Sequence, residues 1–235
     1  MRHSGMRGLA TALAVLSLVT GCGTDDERSA DPERGCTVED AAGRGTLVAT
    51  ADLDGRGGAE QLRLLGTGKG RCRGSLVAVL DGKVAGLDVT GLDLARSPGT
   101  VVHLRGRGAD LVLLESTPHP RGGSQPHLFT AGGKDGLVEV TVDGRPVLPF
   151  VATDGGGSPM TATCTPSGGI AVFTAIAHEP PGIVLAWDVT RTTYDIRDGR
   201  AVPTGTAVVD VAAADPTLRR RKPELFSGEL FAGCR

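Results

Sequence analysis

Aromatic side chains are scarce in this chain, with one Trp, one Tyr and five Phe among 235 residues. That argues against a ligand groove floored by stacked rings. Positive charge is not in excess: the formal net charge is -2, and lysine is limited to Lys69, Lys83, Lys134 and Lys222. Nucleic acid is therefore excluded as a main partner, because phosphate binding rests on clustered Lys and Arg. Closely spaced cysteine pairs of the zinc-binding kind are missing too; the five cysteines are Cys22, Cys36, Cys72, Cys164 and Cys234. Convincing amphipathic helices are absent, and the longest apolar run, residues 9–19, falls well short of the ~20 residues that cross a bilayer.

That run has a meaning of its own. Arg2, His3 and Arg7 precede it, and Val19-Thr20-Gly21-Cys22 closes it. A basic start, a short apolar stretch and small residues at a cleavage point make an export signal. The closing tetrapeptide resembles the bacterial lipobox, which implies cleavage before Cys22 and diacylglycerol on its sulfur. Residues 1–21 then read as a lipoprotein signal peptide. Residues 22–35 read as the lipidated cysteine followed by a flexible tether, since GTDDERSADPERG carries almost no apolar side chain. The expected address is the outer face of the cell membrane, held by the N-terminal lipid.

With Cys22 assigned to lipid, Cys36, Cys72, Cys164 and Cys234 are left in an oxidising compartment, and two disulfides are expected. Three pairings are open. A Cys36–Cys234 bridge would clasp the two ends of the domain, whereas Cys36–Cys72 with Cys164–Cys234 would staple neighbouring segments.

Residues 36–235 carry a strand rhythm. Short runs rich in Val, Leu and Ile occur at 46–49, 61–65, 75–80, 84–89, 110–114, 137–142, 169–175, 183–189 and 207–212, separated by Gly, Pro or Asp. This is the pattern of an all-β domain. One helical turn or two fits at Asp215-Pro216-Thr217-Leu218-Arg219, with Asp as cap, Pro in the first turn and Pro223 as the stop.

The chain also repeats. Asp52-Leu53-Asp54-Gly55-Arg56-Gly57-Gly58-Ala59-Glu60 leads into an apolar strand, and His103-Leu104-Arg105-Gly106-Arg107-Gly108-Ala109-Asp110 does the same. A fainter copy runs from Thr163 through Pro166-Ser167-Gly168-Gly169 to Val172. Each copy is followed by a strand and an Asp-Gly hairpin turn with a basic residue: Asp81-Gly82-Lys83, Asp143-Gly144-Arg145 and Asp198-Gly199-Arg200. The first unit resembles an FG-GAP or VCBS-type repeat, whose pattern is Asp-x-Asp-Gly-Asp-Gly-x-x-Asp before a short strand. That resemblance implies antiparallel units of propeller-blade type. Such repeats also occur in surface lipoproteins of high-GC Gram-positive bacteria, which the chain resembles in signal, size and composition. Three repeats fall short of the roughly four blades that close a propeller. The expected fold is an incomplete or small β-propeller, with a β-sandwich as the alternative.

In such loops carboxylates at positions one, three, five and nine hold calcium. Asp52, Asp54 and Glu60 fit three of these, but Arg56 occupies the fifth. Its guanidinium has two options: to turn outward and leave a weakened Ca2+ site, or to turn inward and replace the ion by binding Asp52 or Asp54. The arginines of the sister loop favour a metal-free structural turn, with calcium as the minority reading.

Other candidate chemistry is thin. His119 and His127 flank a Pro- and Gly-rich stretch without a third ligand. His178-Glu179 precedes Pro180-Pro181 at a stiff corner, and Ser158 lacks a nucleophile-elbow context. Trp187, in an apolar run, reads as core, and Arg219-Arg220-Arg221-Lys222 as a solvated turn able to touch anionic lipid. The sequence therefore points to a non-catalytic binding or scaffolding module, meeting an envelope protein or glycan, with an extracytoplasmic hydrolase of an envelope polymer as the alternative.

Overall fold

The computed structural model describes residues 37, 41, 43, 45–66, 72, 74–120, 122–132, 136–152, 158–178 and 185–234. Cys22, Cys36, the signal segment and the tether lie outside this set, as does Glu179.

The described chain is mostly β-strand, arranged in three sheets. The first is an antiparallel meander of β1 (Thr46–Ala51), β2 (Glu60–Leu64), β3 (Ser75–Leu80) and β4 (Lys83–Asp88). The second repeats it with β5 (Thr100–Val102), β6 (Leu111–Glu115), β7 (Pro126–Gly132) and β8 (Gly136–Glu139). The third is larger, in the order β10-β9-β14-β13-β12-β11. Its meander comprises β11 (Met160–Cys164), β12 (Ile170–Ala177), β13 (Ala186–Arg197) and β14 (Arg200–Ala214). The two-residue strands β9 (Thr141–Val142) and β10 (Arg145–Pro146) are added at its edge through one parallel pairing, Arg200 with Thr141.

The second sheet is the middle layer. Along β6, Leu111 and Leu113 belong to a core shared with the third sheet, while Val112 and Leu114 belong to a core shared with the first. On β7 Leu128 joins the former and Phe129 the latter. A strand buried on both faces needs an unbroken apolar run, because alternate side chains point to opposite cores, and Leu111-Val112-Leu113-Leu114 supplies one. A third, smaller core forms where α1 (Asp215–Arg221) lays Leu218 against Trp187 and Val189 on β13.

All three Asp-Gly pairs make the expected turns. Asp81 and Gly82, Asp143 and Gly144, and Asp198 and Gly199 have φ of 53 and 72, 50 and 74, and 48 and 74 degrees. Positive φ at both central positions matches the right-handed twist of the flanking strands. The second turn is not the hairpin of the second repeat, however. Asp143-Gly144 joins the short β9 and β10, and the second sheet turns between β7 and β8, two strands earlier.

Cys164 is disulfide-bonded to Cys234, which rules out the clasp between Cys36 and Cys234. Cys72 is disulfide-bonded as well, to a partner outside the described residues. The Cys164–Cys234 bridge sits beside the fully buried Phe231, whose amide donates to the Ala162 carbonyl at 2.8 Å. The Cys234 carbonyl in turn accepts from the His103 amide at 2.8 Å. This segment thus seals the joint between the second and third sheets. Among the described residues no helix is long and apolar enough to cross a membrane.

Candidate functional site

The loop of residues 52–59 links β1 to β2. Leu53 is fully buried and pins it to the core, and Gly55 and Gly57 at φ of 75 and 83 degrees allow the tight path. The carboxylates fold back onto the loop's own amides. Gly57 donates to Asp52 Oδ2 at 2.9 Å, Arg56 to Asp54 Oδ1 at 3.0 Å, and Leu53 to Glu60 Oε2 at 2.8 Å. Each acid thus commits one oxygen to the turn. Ligand oxygens of Asp52, Asp54 and Glu60, one from each, lie within 4.8 Å of one another. Asp52 Oδ1 is buried and has no hydrogen-bond partner.

Arg56 turns outward. Its Nη1 meets Asp81 Oδ1 at 2.8 Å on the β3–β4 turn, while its Nε stays 3.6 Å from Asp54 Oδ2, and 63% of the side chain is exposed. Mutual hydrogen bonding raises the Arg56 pKa and lowers that of Asp81. The cation at the fifth position is thus neutralised chiefly by a neighbouring hairpin, not by Asp52 or Glu60.

The sister loop of residues 103–110 packs against the first. A side chain on Gly55 would approach the Ala109 nitrogen to 3.1 Å. Asp110 stands where the first loop has Glu60. It accepts from the Asp52 amide through Oδ2 at 2.9 Å and meets His103 Nδ1 through Oδ1 at 2.7 Å. Arg107 runs the other way and donates from Nη1 to the Ile196 carbonyl on β13. Burial pushes its pKa down against the nearby charge of Asp198. The third loop then rests on the second, with Gly168 placed against the Arg105 carbonyl. Here Thr165 replaces the acids, its Oγ1 accepting from the Gly169 amide at 2.9 Å. Three related loops are stacked in sequence order: one acidic, one basic and one neutral.

The remaining candidates are dispersed. His127 is buried on β7 and bonds Glu139 at 2.7 Å, whereas His119 is exposed on the preceding loop. Among the described residues only Asp52, Asp54 and Glu60 group as potential metal ligands. His178 pairs with Asp188 at 2.9 Å, and Ser158 is exposed. Trp187 packs in the small core and donates from Nε1 to Asp215 at 2.8 Å. The basic cluster is largely committed, since Arg219 pairs with Asp215 at 2.8 Å, Arg221 pairs with Asp210, and Lys222 lies over the Phe173 ring. Tyr194 lines a shallow depression of about 240 Å3 with Pro146, Val147, Pro149, Val172, Thr174 and Thr192. Sequence reasoning missed Asp81, whose tie to Arg56 leaves no local signal because it spans two hairpins.

No protein-family model, curated protein or solved structure matches this chain.

Proposed function

We propose that the chain is an extracytoplasmic lipoprotein anchored through lipid on Cys22. Its all-β part acts as a non-catalytic binding or scaffolding module of the cell envelope, built from blade-type repeats. Three stacked glycine loops, each leading into a strand of a separate sheet, support the repeat reading. They present different chemistry on one scaffold, and such loops are where partners are met. An envelope protein or glycan is the expected partner. Incorporation of a clickable palmitate analogue, lost in Cys22→Ala, tests the anchor, and pull-down from solubilised envelopes with the anchored chain tests the partner.

We further propose that the first loop takes one calcium ion. The observation that carries this is the buried, unpartnered Asp52 Oδ1 beside the carboxylates of Asp54 and Glu60. A buried anionic oxygen without a donor is costly, and a hard divalent cation is the partner that carboxylate oxygens select. Asp52, Asp54 and Glu60 would hold it. Bound there, it supplies a crosslink of the loop and no reaction chemistry. The test is the melting midpoint of the full chain in nonionic detergent with millimolar Ca2+ and with chelator. A rise with calcium that vanishes in Asp52→Asn supports the site, and an unchanged midpoint overturns it.

A further inference from the structure

The longest strands of the molecule are β13 and β14, of 12 and 15 residues, and β14 is paired on one side only for most of its length. Its other edge meets β9 at Arg200 alone, and no further strand or bridge reaches it among the described residues. From residue 202 to 209 every side chain is exposed and none is charged. Val208 and Val211 are 63% and 68% exposed, and Ile176, whose β13 partner is Asp188, is 63% exposed. A bare edge offers a row of unpaired amides and carbonyls, and folded proteins usually blunt it with charge, above all lysine. Proline and bulges blunt an edge too, and β14 has Pro203 and irregular pairing on either side of residues 205–208, but that stretch itself is regular and carries no charge.

We propose that β14 is the interface between two copies of this chain, paired antiparallel edge to edge across a two-fold axis. Two features set the register. Pro203 has no amide to donate, and a bulge after Val208 breaks the regular pairing, because Thr190 faces Val208 while Val189 faces Asp210. The stretch regular against β13 runs from Gly205 to Val208, Thr204 being left over between Gly205 and Pro203, and pairing centred on it places Thr206 opposite its own copy and Gly205 opposite Ala207. A second copy fits because the strand is neutral and self-compatible. The first charge, Asp210, is already neutralised by Arg221 of the same molecule, so two copies meet without like-charge repulsion. A two-fold contact uses the edge up in one step and closes at a dimer.

The test uses the full chain in nonionic detergent. Multi-angle light scattering at micromolar concentration should give twice the protein mass, corrected for detergent. Val208→Lys, at an exposed position, should weaken the dimer by about tenfold or more while leaving the melting midpoint of the monomer in place. Thr206→Cys with a short bis-maleimide should yield a covalent dimer, whereas Thr190→Cys on β13 should not. A monomer at 100 µM overturns the proposal, as do larger open assemblies or a dimer indifferent to Val208→Lys. Thr190→Cys crosslinking as readily as Thr206→Cys would assign the contact to a different surface and overturn it as well.

Discussion

Asp110 and Asp52 hold one another by two reciprocal hydrogen bonds. The Asp110 amide donates to the Asp52 carbonyl at 2.7 Å, and the Asp52 amide donates to Asp110 Oδ2 at 2.9 Å. The first two sheets are therefore joined at their loops by backbone as well as by packing. Asp110 is 8% exposed, so water does not substitute readily for its carboxylate. Asp110→Ala strands the Asp52 amide and removes the partner of His103, at a cost of about 2 kcal/mol. Urea denaturation, comparing midpoints at unchanged slope, measures it.

Arg56→Asp restores a carboxylate at the fifth loop position. The exposed pair with Asp81 contributes at most about 1 kcal/mol, so its loss is small. If the loop takes calcium as proposed, the added carboxylate raises the affinity by about tenfold or more. Calorimetric titration of wild type and variant gives the ratio, and equal affinities would remove Arg56 as the weakening element.

The Cys164–Cys234 bridge closes a sequence separation of 70 residues. On the loop-entropy account, opening it in Cys164→Ser/Cys234→Ser costs about 4.4 kcal/mol. Denaturation of the double variant beside the oxidised wild type checks this.

Gly168→Ala puts a side chain against the Arg105 carbonyl at a φ of 84 degrees. The left-handed backbone alone costs roughly 1–2 kcal/mol for a residue with a Cβ. The variant melts lower, and the expected loss exceeds that of an exposed glycine such as Gly144, which has open space for a Cβ.

Asp215 has a lowered pKa, first through its bond to Arg219 and also through the Trp187 indole. A depressed carboxylate stabilises the fold above its unfolded pKa of about 4, and that contribution is lost as pH falls through the folded value below it. Fluorescence of Trp187, the single tryptophan, reports the event. In Asp215→Asn the part of the acid-induced change below pH ~4 that belongs to this group disappears.

Much of the architecture was legible because it is local. The Asp-Gly turns need positive φ at two adjacent positions, and all three form. The run at 110–114 was legible as a strand, though not that its alternate residues would divide two cores. The strands β5, β7, β10 and β11 escaped notice. β7 starts at Pro126 and carries His127, and β11 reads Met-Thr-Ala-Thr-Cys, so tertiary packing and not propensity makes them strands. At the loop, Asp52, Asp54 and Glu60 were visible from spacing. The direction of Arg56 was not, since Asp81 is brought beside it only by the pairing of β2 with β3.

The two main cores differ in when they can form. The core between the first and second sheets draws on residues 48–137, while that between the second and third also needs Leu230, Phe231 and Cys234. A chain emerging N-terminus first can therefore complete one layer while the next stays open. Until the third sheet and the segment around Phe231 arrive, the other face of the middle sheet, with Leu111, Leu113 and Leu128, is not fully covered. The Cys164–Cys234 bond then ties that last segment to β11 and so to the third sheet.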